Sequence, residues 1–154
     1  MSTLSNNHAG INDLSKVYEA FNLRQAYNLN DDEVTECTIR IADTLSRLAM
    51  VESIYKLLKH VLGYDCKNHC LKHPISLENY KEIQKLTGIV KASYREICRN
   101  ICFFTEKSRA LKSDYPISSE NIRIIHDQLS EIAERTLYDD PFITALYSEL
   151  ALCE

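Results

Sequence analysis

Apolar residues recur every three or four positions through two long stretches of this chain. The first series is Val34, Cys37, Ile41, Leu45, Leu48, Val51, Ile54, Leu58 and Val61. The second is Leu77, Tyr80, Ile83, Leu86, Val90, Tyr94, Ile97, Ile101, Phe104 and Leu111. Steps of three and four return to one side of an α-helix, and polar residues fill the positions between. The pattern predicts an all-α fold: a bundle of four to five helices, two of them long and amphipathic, packed along their lengths as in coiled coils.

Local signals set the expected boundaries. Residues 1–10 are polar and read as a flexible N-terminus, with residues 11–154 forming a single helical domain. A first helix is expected over about 11–28, with Ile11, Leu14, Val17, Tyr18 and Phe21 on one side. Asn30 then reads as an N-cap, with Glu33 three residues on as its capping-box partner. The helix it opens is expected to end at Gly63, a residue that accepts the left-handed conformation of a helix stop. Such a helix spans about 48 Å at 1.5 Å per residue. Residues 63–75 form a connector, read as a helical turn with incidental polar residues, and Ser76 caps the second long helix. After a turn at Ser113–Pro116, Ser118 or Ser119 is expected to cap a helix carrying Ile122, Ile125, Leu129, Ile132 and Thr136. Asp140 and Pro141 read as N-cap and first-turn proline of a short last helix bearing Phe142, Leu146, Leu150 and Cys153.

Composition narrows the setting. The N-terminus lacks the basic and apolar regions of a signal peptide. No run approaches the roughly 18 apolar residues of a membrane span. The six cysteines are read as reduced thiols, so the expected location is cytoplasmic, or outside the cell after export without a cleaved signal. Residues 56–112 hold twelve Lys/Arg against five Asp/Glu, while the flanks hold six against seventeen. Basic and acidic helices can neutralise each other within the bundle, or the basic face can meet an acidic partner.

Candidate chemistry is sparse. Cys66, His69, Cys70 and His73 are zinc-ligand types, but four ligands within eight residues would close a very small loop around one metal. No metal or other cofactor is expected. Cys98 and Cys102 repeat the Cys-x-x-x-Cys spacing of Cys66 and Cys70, and read as core thiols beside Ile97 and Ile101. Arg123 and His126 are too close for a ribonuclease-like pair, and Asp139 and Asp140 read better as a cap than as paired carboxylates. There is no Gly-rich phosphate loop, Gly-x-Ser-x-Gly or His-Glu-x-x-His sequence, so catalysis is not expected.

The segment NYKEIQKLTGIVKASYREICRN, residues 79–100, resembles a helix-turn-helix with its turn at Gly88, Ile89 and Val90. The resemblance covers 22 residues and implies DNA contacts from Lys81, Lys85, Lys91, Ser93, Arg95 and Arg99. Gln84 stands where that motif takes a small residue, and the apolar series passes Gly88 in register, as it would in one continuous helix over residues 77–112. The leading expectation is a small non-enzymatic regulatory, adaptor or inhibitor protein that binds another protein through a helical face, as a homodimer. The alternative is a helix-turn-helix transcriptional regulator using residues 79–100.

Overall fold

The computed structural model describes residues 31–138 and 140–153. The expected N-terminal segment 1–10, the helix over 11–28 and the Asn30 cap lie outside the described residues. Among the described residues there are four helices: α1 (Asp31–Leu62), α2 (Leu77–Leu111), α3 (Pro116–Leu137) and α4 (Pro141–Leu152). Helices α1, α2 and α3 pack on one another, and α4 closes one end. The all-α bundle with two long helices is therefore the observed architecture.

In α1 the predicted series is buried from Cys37 to Leu58, with Thr44, Tyr55 and Leu62 joining it. Val61 faces solvent instead, because the buried line drifts around the helix and reaches Leu62 at its end. Gly63 then turns left-handed, with φ of 58°. A Cβ there would also stand 2.9 Å from the His73 ring.

The connector is not a helical turn. Tyr64–Asp65 (β1) and Cys70–Leu71 (β2) form a small antiparallel hairpin, pairing Tyr64 with Leu71 and Asp65 with Cys70. Its tip is an Asx turn: the Asp65 carboxylate accepts from the backbone N–H of Lys67 at 2.9 Å and of Asn68 at 3.3 Å. Local side-chain bonding of this kind competes with helix and wins where the chain must reverse. Below the tip, the N–H of Lys72 donates to Gly63 O and that of His73 to Leu62 O, both at 3.0 Å. The Tyr64 ring rests edge-on against Phe142 of α4, 5.2 Å between centroids.

Helix α2 opens with the predicted Ser76 cap, as a reciprocal box. The Asn79 N–H donates to Ser76 Oγ at 3.3 Å, and the Ser76 N–H donates to Asn79 Oδ1 at 2.8 Å. The helix runs unbroken through Gly88, so the turn that a helix-turn-helix needs is absent from residues 79–100. Its buried face is Ile83, Thr87, Val90, Ser93, Ile97, Asn100 and Phe104. Leu77, first of the apolar series, is 93% exposed. Cys98 is half-buried and Cys102 exposed, so neither is a core thiol. They flank the buried line at Ile97 rather than belonging to it.

Neither Ser118 nor Ser119 caps α3. Pro116 opens that helix with its φ already set and no N–H to satisfy, and Tyr115 precedes it without a side-chain cap bond. The two serines lie buried inside the first turn. Ser119 Oγ donates to Ser108 O at 2.6 Å, and Ser108 Oγ donates to Ser119 O at 2.9 Å, locking α3 against the end of α2. Helix α4 begins as predicted, with the Phe142 N–H donating to Asp140 Oδ1 at 3.0 Å and Pro141 in the first turn. Phe142, Leu146 and Leu150 are buried, whereas Cys153 is exposed at the helix end.

Charge balance is partly internal. Lys107 of α2 reaches Glu33 of α1 at 2.8 Å, and Lys59 of α1 pairs with Asp140 at 2.5 Å. A third link is polar: Asn100 Nδ2 donates to Asp43 Oδ2 at 2.8 Å, and Arg40 donates to Asn100 Oδ1 at 3.2 Å. Arg40 also lies 4.7 Å over the Phe103 ring.

Candidate binding groove

All four helices contribute to one groove. It is lined by Tyr55 of α1, Val90, Lys91, Tyr94 and Arg95 of α2, Leu137 and Tyr138 at the end of α3, and Ile143 and Tyr147 of α4. Its volume is 410 Å³, within the roughly 300–1,000 Å³ of ligand and anchor pockets. Helix periodicity delivers most of the lining. Val90 and Tyr94, Lys91 and Arg95, and Ile143 and Tyr147 are each four residues apart and share a face. Tyr138 arrives differently. Helix α3 ends there, just before Asp140 and Pro141 start α4, and the short link leaves its ring over α2.

The rings form an edge-to-face wall. Tyr94 and Tyr138 stand 5.8 Å apart at 86°, and Tyr55 meets Phe142 at 6.1 Å and 78°. Tyr147 neighbours the Tyr55 hydroxyl, and Tyr94 that of Tyr138. Burial, then the neighbouring Tyr147, pushes the Tyr55 hydroxyl far above its ordinary range. Lost hydration, then the neighbouring Tyr94, does the same to Tyr138. Both rings therefore stay neutral and present apolar surface.

Two cations edge this wall. Lys91 Nζ lies 5.8 Å over the Tyr147 ring. Among the described residues neither Lys91 nor Arg95 has an ion-pair partner, and no Asp or Glu lines the groove. Lys91, Arg95 and Arg99 follow one another at four-residue steps, a spacing at which like charges repel. Only Arg99 finds a local carboxylate, that of Glu96.

The residues singled out for nucleic acid therefore separate. Lys81, Lys85, Lys91, Arg95 and Arg99 are exposed along α2, and Lys91 and Arg95 enter the groove. Ser93 is 1% exposed and faces the core, out of reach of any base edge. Cys66, His69, Cys70 and His73 all lie exposed on the hairpin and the irregular segment that leaves it. His69 Nδ1 is engaged by the Tyr64 hydroxyl at 3.1 Å. Among the described residues, no three His, Cys, Asp or Glu side chains are gathered so as to hold a metal ion. Cys37 is buried between α1 and its neighbours, where burial raises its thiol to about 11 and keeps it unreactive.

A second cleft, 670 Å³, lies between the end of α2 and the start of α3, beside Arg109, Lys112, Arg123 and His126. Arg123 there is clasped by Glu120 and Asp127, and His126 Nδ1 lies 3.0 Å from the same Asp127. Arg123 is thereby paired, whereas among the described residues no carboxylate lines the tyrosine groove beside Lys91 and Arg95.

Sequence reasoning named Lys91 and Arg95 but missed Tyr55, Tyr138, Ile143 and Tyr147, because these converge from three other helices. Composition carried a hint: the chain has nine tyrosines, four phenylalanines and no tryptophan. Four of those tyrosines line this groove, and tyrosine is enriched where proteins bind one another. Among the described residues, no helix is long and apolar enough to cross a membrane. Comparison with known protein families, curated proteins and solved structures finds no match to the chain.

Proposed function

We propose that the chain is a small non-enzymatic regulatory protein, an adaptor or inhibitor, that binds another protein through the helical face carrying the tyrosine groove. The observation that carries this reading is the groove itself: an apolar aromatic wall edged by two cations that have no ion-pair partner among the described residues. Interfaces concentrate their energy in such aromatic and arginine anchors. A pull-down from the native host, with and without nuclease, compares the wild-type chain with Tyr94→Ala. The wild type is expected to capture a protein that survives nuclease, and the variant to capture about tenfold less, as loss of one anchor typically does. Equal capture by both, or capture abolished by nuclease, would count against this function. The nuclease arm also tests the nucleic-acid alternative, for which the exposed cations of α2 remain although the helix-turn-helix does not.

The same reading includes self-association through the outer side of α1. Ile39, Met50, Leu57 and Val61 are exposed there, and the uncharged Ala42, Ser46, Ala49 and Ser53 fill the line between them. A face of this kind is self-complementary across a two-fold axis. Light scattering at rising concentration is expected to show a dimer that Leu57→Glu disperses. A strict monomer at all concentrations sinks it.

A further inference from the structure

We propose that the groove takes an acidic peptide segment with one aromatic or aliphatic anchor residue. The anchor enters between Tyr55, Tyr94, Tyr138 and Tyr147, and carboxylates beside it meet Lys91 and Arg95. This inference rests on the protein-binding reading above and assigns the chemistry of the partner.

The apolar half of the assignment follows from the lining, where Val90, Leu137 and Ile143 stand among the four tyrosine rings. Tyr94 and Tyr138 meet edge to face, 5.8 Å between centroids. What the wall offers an occupant is ring edge and face, the surface that an apolar side chain covers best. The acidic half follows from charge. Among the described residues the lining holds two cations and no carboxylate, and neither cation has an ion-pair partner. A carboxylate at the edge also relieves the repulsion between Lys91 and Arg95, which lie one turn apart.

The shape favours a chain over a small acid. The exposed cations continue along α2 from Lys81 to Arg99, about 27 Å at 1.5 Å per residue. That row outreaches a metabolite and suits several acidic side chains in succession. The wall is a poor platform for nucleic-acid bases, because its rings stand nearly perpendicular, 86° for Tyr94 and Tyr138, rather than in a parallel stack.

The test pans a random peptide display library on the immobilised full chain, in parallel with Lys91→Glu/Arg95→Glu. Both substituted residues are exposed, so the variant is expected to keep its fold, which a thermal melt verifies. Peptides from the wild type are expected to share an aromatic or aliphatic residue flanked by Asp or Glu. Their affinity is expected to fall about tenfold or more in the variant, and to weaken with salt. Should the variant melt early, Lys91→Gln/Arg95→Gln serves instead, with the same expected direction. Enriched peptides that lack acidic residues, or that bind the charge-reversed chain equally well, overturn the acidic assignment and leave the protein-binding function standing. No enrichment over bare support, or a mixed DNA oligonucleotide that outcompetes every peptide at the groove, overturns both.

Discussion

Replacing Phe104 by alanine is expected to lower the free energy of unfolding by about 3–5 kcal/mol. Phe104 is 0% exposed, deep on the face of α2 that meets the rest of the bundle, with Phe103 edge-on at 5.1 Å. Truncation removes the transfer energy of the ring and leaves a void that rigid long helices cannot collapse around. At roughly 2–4 °C per kcal/mol for a chain of this size, the melting temperature should drop on the order of 10 °C. Leu77→Ala is the internal control. It belongs to the same apolar series and the same helix, yet its side chain is in solvent, so its effect should stay within about 0.5 kcal/mol. Circular-dichroism melts of the two variants would expose a wrong core assignment if Leu77→Ala proved the more damaging.

Asn100→Asp should cost roughly 2–3 kcal/mol at neutral pH, below the full penalty of an uncompensated buried charge because Arg40 stays at hand. Asn100 is 4% exposed and donates to Asp43 from α2. The substitution keeps shape and replaces that donor with a second carboxylate. In the wild type, burial works to raise the Asp43 carboxyl, but bonds from Asn100 and Arg47 and the charges of Arg47 and Arg40 outweigh it and hold the carboxyl below its usual 3.8. A lowered folded value contributes stability that is present above the unfolded value and lost as pH falls through the folded one. In the variant the sign reverses. Two facing carboxylates cannot both ionise freely, so one is raised above its unfolded value, and the penalty develops as pH rises through that value. Urea midpoints at neutral and mildly acidic pH should therefore show the gap between variant and wild type closing on acidification. A gap that is unchanged by pH would mean that Asp43 and residue 100 do not meet.

How much of this was legible in the sequence follows from these same residues. The two long helices, the stop at Gly63, the Ser76 cap and the Asp140–Pro141 start all rest on local spacing, and local spacing is what a sequence displays. The inward face of α2 was read less well. Thr87, Ser93 and Asn100 occupy core positions that a search for apolar residues passes over. Thr87 is tolerated there because its hydroxyl donates to Gln84 O within its own helix, and Asn100 because α1 supplies both its partners. Ser119 failed as a cap for the same reason, its hydrogen bonds serving a tertiary contact with Ser108 instead of the helix end, and Ser118 lies buried beside it. The groove was half visible. Its cations lie in one segment, whereas its aromatic wall exists only once four helices are docked.

The Ser108–Ser119 lock also bears on how the chain folds. Its partners are 11 residues apart, whereas Asn100 and Asp43 are 57 apart and Lys107 and Glu33 are 74 apart. Closing the longer loops costs on the order of 1.5 kcal/mol more in chain entropy. The α2–α3 hairpin is thus the first tertiary unit within reach of a collapsing chain, and α1 docks onto a surface already built. With successive helices lying side by side, the topology is of the local-contact kind that folds in microseconds to milliseconds.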